Sequence, residues 1–197
     1  MSIKDRILKI KKWHSIISSF IFFSVLIFCS FIVKDNIFEI SLSHFGVNSK
    51  TSTLWNGFLF LIGLLLWAES IKNLHYYFNP IPKILYFMFS ISSIFLLITA
   101  VVDMSNLMVH NVSAVLYFLG FTISIFLFGR LLIPTNFRIG ITSITISILS
   151  VINPLILVYL IPGLAIPEIV HTIIIFIWML VMSWEDEYKN LLKKIGF

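Results

Sequence analysis

A single cysteine, Cys29, is all the thiol this chain carries. That excludes a disulfide framework and a cysteine-based zinc site. Acidic residues are also scarce, with nine Asp and Glu against fourteen Lys and Arg, and charged residues of either sign make up only 12%. The eight glycines and six prolines form no glycine-rich phosphate loop, and neither a nucleophile elbow nor a zincin pattern occurs. No repeat is longer than the spacing of the apolar runs described below. The net charge of +5 does not point to nucleic acid. It is spread over the ends of apolar runs, where membrane orientation and anionic lipid account for it.

What the chain has in abundance is apolar length. Hydrophobic residues are 59% of it, and the mean hydropathy is +1.02. Six runs carry this character, at 13–33, 53–71, 84–102, 111–132, 139–161 and 167–184. Crossing a bilayer as a helix takes about 20 apolar residues. In hydrocarbon every backbone N–H and C=O needs an internal partner, so runs of this length become helices despite their many Ile, Val and Phe residues. The expectation is an all-α polytopic membrane protein: a six-transmembrane-helix bundle, forming one integral membrane domain over 1–197. The longest loop, at about 34–52, leaves no room for a soluble module. The first run is longer than a signal-peptide core of about 7–15 residues and no small-x-small site follows it, so it reads as a retained span.

Basic residues give the orientation. Lys4, Arg6, Lys9, Lys11, Lys12, Lys72, Lys83, Arg130, Arg138, Lys189, Lys193 and Lys194 fall on one side of the spans, and only Lys34 and Lys50 on the other. Both termini are therefore expected in the cytoplasm, and the protein in the cell membrane as a multi-pass chain with lipids as its partners. Trp13, Tyr76, Tyr77, Tyr86, Trp184 and Tyr188 fall near the inner boundary and Trp55 near the outer one, as expected of aromatic belts.

Polar residues within or beside apolar spans are costly, so their positions carry information. Most of the chemically versatile ones gather at the outer ends: Ser41-Leu42-Ser43-His44-Phe45-Gly46, Asn56, Asp103, His110 with Asn111, Asn153 with Pro154, and Glu168 with His171. Glu168 and His171 share a helical face by their i,i+3 spacing. If His44, His110 and His171 converge at the mouth of the bundle, they offer three protein ligands for zinc, with water as the fourth. Ser43, Asp103 or Glu168 would then orient or deprotonate that water. The other reading is hydrogen bonding at a wet interface, with Glu168 favourable at a helix N-terminus and Pro167 as an N1 proline. It is the preferred one, and zinc is the only cofactor the donor set suggests.

Ser143, Ser147 and Ser150, with Asn153 beyond, form one stripe in the fifth span. Small hydroxyl residues allow close approach and interhelical hydrogen bonds, so the stripe is expected to face other helices. Pro154 removes a backbone donor and should bend that span. His14 and His75 fall at the inner edge, away from where a haem bridging two helices needs its axial ligands. Glu69 is spaced to pair with Lys72. The Glu185-Asp186-Glu187 run reads as a solvated helical extension.

The outer-loop Ser41-Leu42-Ser43-His44-Phe45-Gly46, the span start Trp55-Asn56-Gly57, the His110-Asn111-Val112-Ser113-Ala114 segment, and Pro162-Gly163 and Pro167-Glu168 with Trp178 together resemble a family of small prokaryotic membrane proteins, domain of unknown function 998. The resemblance covers about residues 10–190 and implies the topology; the family has no agreed activity. A fainter similarity runs to the seven-span hydrolases that include alkaline ceramidases, which implies Ser43, Asp103, His110 and His171 around zinc. The chain departs from that group in having six spans and in carrying Pro167 four residues before His171.

These features support a structural or small lipid- or ligand-binding membrane protein. A metal-dependent lipid hydrolase acting at the outer leaflet is the alternative. A small transporter is a second alternative, against which stands the lack of charged residues at mid-span.

Overall fold

The computed structural model describes residues 3–76, 80–102, 106–134 and 136–184. Asp103, Tyr77, Tyr188 and the Glu185-Asp186-Glu187 run lie outside the described residues, as do the side chains of Trp13, His14, His75, Tyr76 and Trp184.

All regular structure among the described residues is helical: α1 (Ile3–Val33), α2 (His44–Val47), α3 (Ser52–Tyr76), α4 (Pro80–Val101), α5 (Leu107–Leu132), α6 (Phe137–Leu160) and α7 (Ala165–Trp184). Each of the six apolar runs falls on one long helix, and each helix begins earlier than its run. Capping explains two of these starts. The side chains of Asn106 and Asn136 accept from the amides of Val109 and Ile139, filling donors that a helix N-terminus leaves empty. Pro167 is the third residue of α7 rather than the first, a position whose N–H would still lack an intrahelical acceptor.

Among the described residues, four helices are long and apolar enough to cross a membrane: Ser52–Lys72, Lys83–Val101, Leu107–Leu132 and Phe137–Leu160. Within α1 and α7 the described side chains contribute the further apolar stretches Ser19–Val33 and Ala165–Met179. This is a helical membrane protein by architecture.

From α3 to α7 each helix packs on the one before it, and α7 packs back on α1, which also touches α3. The six long helices thus close into a ring. One apolar cluster, including Leu85, Phe121, Ile125, Phe128 and Trp178, fills it between α4 and α7. A second, including Phe22, Phe45, Trp55, Phe58 and Ala165, fills the end nearest α2. Trp55 corrects the aromatic-belt expectation. It is 2% exposed and packs against Phe22, Phe45 and Phe58, because the α2 turn folds over it.

The α5–α6 hairpin crosses at Gly129 and Gly140. A Cβ on Gly140 would lie 2.8 Å from the Gly129 carbonyl oxygen, and a Cβ on Gly129 would lie 2.7 Å from that of Gly140. Small residues permit such backbone approach between membrane helices. The serine stripe faces the bundle as expected: Ser143, Ser147 and Ser150 are at most 2% exposed. Ser143 Oγ accepts from Trp178 Nε1 at 2.9 Å, and Ser150 Oγ lies 3.1 Å from Thr122 Oγ1. Helix α6 continues through Pro154 to Leu160.

Candidate functional site

Inside the ring lies a cavity of about 120 Å³. Its long walls are apolar, from residues such as Phe22, Phe58, Ile62, Leu66, Phe121 and Met179. Its polar side chains gather at the α2 end: Ser43, Asn56, Thr99, His110, Glu168 and Thr172, with Tyr117 deeper. The lining runs from Glu168 to Met179 on α7, eleven residue-to-residue steps, or ~16 Å at 1.5 Å of rise per residue.

Two connections build the polar end. The loop between α1 and α2 is stitched to the loop between α6 and α7. Gly163 N donates to Phe38 O and Ala165 N to Ile40 O, both at 2.8 Å. Leu42 N donates to Glu168 Oε2, also at 2.8 Å. A Cβ at Gly163 would come within 2.6 Å of both the Phe38 and Ile40 oxygens, so only glycine allows this pairing. Asn56 Nδ2 donates to Gly46 O at 2.9 Å, and Thr51 Oγ1 to Phe45 O at 2.7 Å, pinning α2 to α3.

His110 stands in the first turn of α5 and is 5% exposed. Its Nδ1 donates to Val102 O at 2.8 Å, a carbonyl just past the end of α4 with no helical amide to take it. A carbonyl only accepts, so Nδ1 carries the proton and, in the neutral imidazole, Nε2 accepts. Ser43 Oγ is 2.7 Å from that Nε2 and therefore donates to it. Ser43 holds the N-cap position of α2, yet its hydroxyl makes no capping bond. Behind His110, Thr99 Oγ1 donates to Ser113 Oγ, and Ser113 Oγ donates to His110 O.

Of the six residues singled out in the sequence, Ser43, His110 and Glu168 share the polar end of one cavity. The three histidines do not share a partner. His44 Nε2 pairs with Asp35 Oδ2 at 2.8 Å at the exposed edge of the α1–α2 loop. His171 Nδ1 donates to Ser150 O at 2.6 Å, its ring lies edge-on to Phe118, and its Nε2 has no hydrogen-bond partner among the described residues. Backbone carbonyls and one carboxylate thus take up the imidazoles one by one. Among the described residues, no three His, Cys, Asp or Glu side chains are placed to hold a metal ion; Asp103 lies outside them.

Sequence reasoning missed Thr99, Thr172 and Tyr117 as lining residues. A signal for the wall existed: His110, Ala114, Tyr117 and Phe121 follow i, i+4, i+7, i+11 along α5, and Glu168 and Thr172 follow i, i+4 along α7. Each set is one helix face. No curated protein and no solved structure matches the chain. A family match does cover α2 to α7 and most of α1: the chain belongs to the family described as protein of unknown function (DUF998), which matches residues 16–185.

Proposed function

We propose that this chain is a six-span, multi-pass protein of the cell membrane, both termini cytoplasmic, that binds the acyl chain of a lipid or similar amphiphile inside its helix ring. The cavity carries this reading: it is long and apolar, with amide, imidazole, carboxylate and most hydroxyl groups at one end and Tyr117 deeper. Such a shape suits a molecule with one polar head and one hydrocarbon tail, since a few placed polar groups orient a ligand that apolar walls bury. The charge bias of the span ends supports the orientation.

The test is lipid retained through purification, extracted and measured by mass spectrometry. Ala114 lines the cavity, whereas Ala68 is exposed on α3. Ala114→Trp fills the cavity and should lower the retained lipid several-fold, and Ala68→Trp should leave it unchanged. Equal retention in both variants sinks the proposal.

A further inference from the structure

Nucleophilic acyl transfer by serine needs a hydroxyl, a base within hydrogen-bond reach, and a group that fixes the base's tautomer. All three stand at the polar end of the cavity. Ser43 Oγ is 2.7 Å from His110 Nε2, and Val102 O holds the proton on Nδ1 from 2.8 Å. Ser43 lines the cavity and its hydroxyl is not spent on capping α2. The bond from Leu42 N to Glu168 Oε2 fixes the backbone one residue before the serine.

From this geometry we infer that Ser43 and His110 are a nucleophile and general base that cleave a carboxylic ester of the acyl chain held in the cavity. The inference rests on the lipid-binding reading above. In the first step Ser43 Oγ bonds to the ester carbonyl carbon, its proton passes to His110 Nε2, and the carbonyl electron pair moves onto oxygen. Asn56 lines the same end and spends one amide hydrogen on Gly46 O, so it has a second hydrogen to offer that oxygen. Collapse breaks the bond to the alcohol, which takes the proton from Nε2 and leaves the acyl group on Ser43. Water then attacks the acyl carbon, gives its proton to Nε2, and the fatty acid departs as Ser43 regains its proton. The tail stays between Phe22, Phe58 and Phe121 throughout, so long-chain esters should be preferred to acetyl esters.

The full chain in lipid nanodiscs is treated with a long-chain alkyl fluorophosphonate, and the labelled site is mapped by peptide mass spectrometry. Cleavage of long-chain and acetyl 4-methylumbelliferyl esters is followed alongside. The expected result is a label on Ser43, lost in Ser43→Ala and in the nearly isosteric Ser43→Cys, and kept in Ser41→Ala. His110→Gln should slow long-chain ester cleavage by about 10²–10⁴-fold, the usual share of a general base. Thermal unfolding of each variant shows that it is folded. A folded protein that retains lipid but takes no label, or takes it elsewhere, overturns the dyad and leaves the lipid-binding reading standing. Labelling of Ser43 with no lipid retained and no preference for long chains overturns the cavity as the substrate site.

Discussion

His171 donates from Nδ1 to the backbone oxygen of Ser150 at 2.6 Å, and Pro154 is the reason that oxygen is available. In an α-helix the Ser150 carbonyl would accept from the amide of residue 154. Proline has no amide hydrogen. Helix α6 nevertheless continues past it, with the imidazole of α7 in place of the missing donor. Neighbouring helices commonly re-satisfy backbone groups that proline frees in a membrane helix.

Removing His171 should therefore cost stability in a way that depends on Pro154. His171→Ala leaves a buried carbonyl without its donor, for about 1–3 kcal/mol. On a Pro154→Ala background the amide at 154 returns, and the same change should cost less. Thermal unfolding of the two single variants and the double variant in detergent measures this coupling. Strictly additive losses would disprove it.

Trp178 is tied to α6 in a similar manner, by its indole N–H on Ser143 Oγ, while its ring packs against Phe89 and Phe128. Ser143→Ala strands a buried donor and should lower stability by about 1–3 kcal/mol. Trp178→Phe removes that donor, so Ser143→Ala on the Trp178→Phe background should be close to neutral. Chemical denaturation monitored by helix content would read both.

Two glycines should respond to alanine with opposite signs. A Cβ at Gly57 meets nothing within 4 Å, and alanine there should stabilise α3 by up to about 1 kcal/mol through helix propensity. At Gly140 the same Cβ meets backbone atoms of Gly129 and Ile133 at 2.8 Å, which cannot turn aside as a side chain can. Gly140→Ala should destabilise by about 1–3 kcal/mol, as overpacking does. Melting temperatures moving in the same direction would show that the α5–α6 crossing is looser than described.

The six long helices were legible because a bilayer imposes one rule on length and polarity, and a linear sequence displays both. The serine stripe was legible for the same reason, since hydroxyls without partners avoid hydrocarbon. Helix α2 and the inward turn of Trp55 were not, because they depend on which loop closes over which span end. The polar end was half legible. Common depth grouped Ser43, His110 and Glu168, but the same depth grouped His44 and His171 with them. What separates these histidines is the acceptor each one meets: Val102 O past a helix end, Asp35 in a loop, or Ser150 O beside a proline. Pro154 says in the sequence which carbonyl is released; it does not say which helix supplies the donor.

Glu168 should matter first as an acceptor. Its Oε2 holds the amide of buried Leu42 across 126 positions of chain. Glu168→Gln keeps an oxygen for that amide, whereas Glu168→Ala leaves it unpaired at a cost of about 1–3 kcal/mol. Limited proteolysis should cut the α1–α2 loop faster in the alanine variant and at the wild-type rate in the glutamine one. Equal cutting of all three proteins would show that the Leu42 bond does not hold the loop.

The orientation can be tested with the same few residues that suggested it. Helices α3 to α7 are five in number, and if all five cross, positions 50 and 193 are expected on opposite faces of the membrane. The bias of basic residues predicts a cytoplasmic position 193. Native Cys29 is 0% exposed, so it contributes little background to thiol labelling. A membrane-impermeant maleimide applied to intact cells should label Lys50→Cys directly and Lys193→Cys only after permeabilisation. The reverse pattern would invert the topology. Labelling of both, or of neither, before permeabilisation would mean that one of the five helices does not cross.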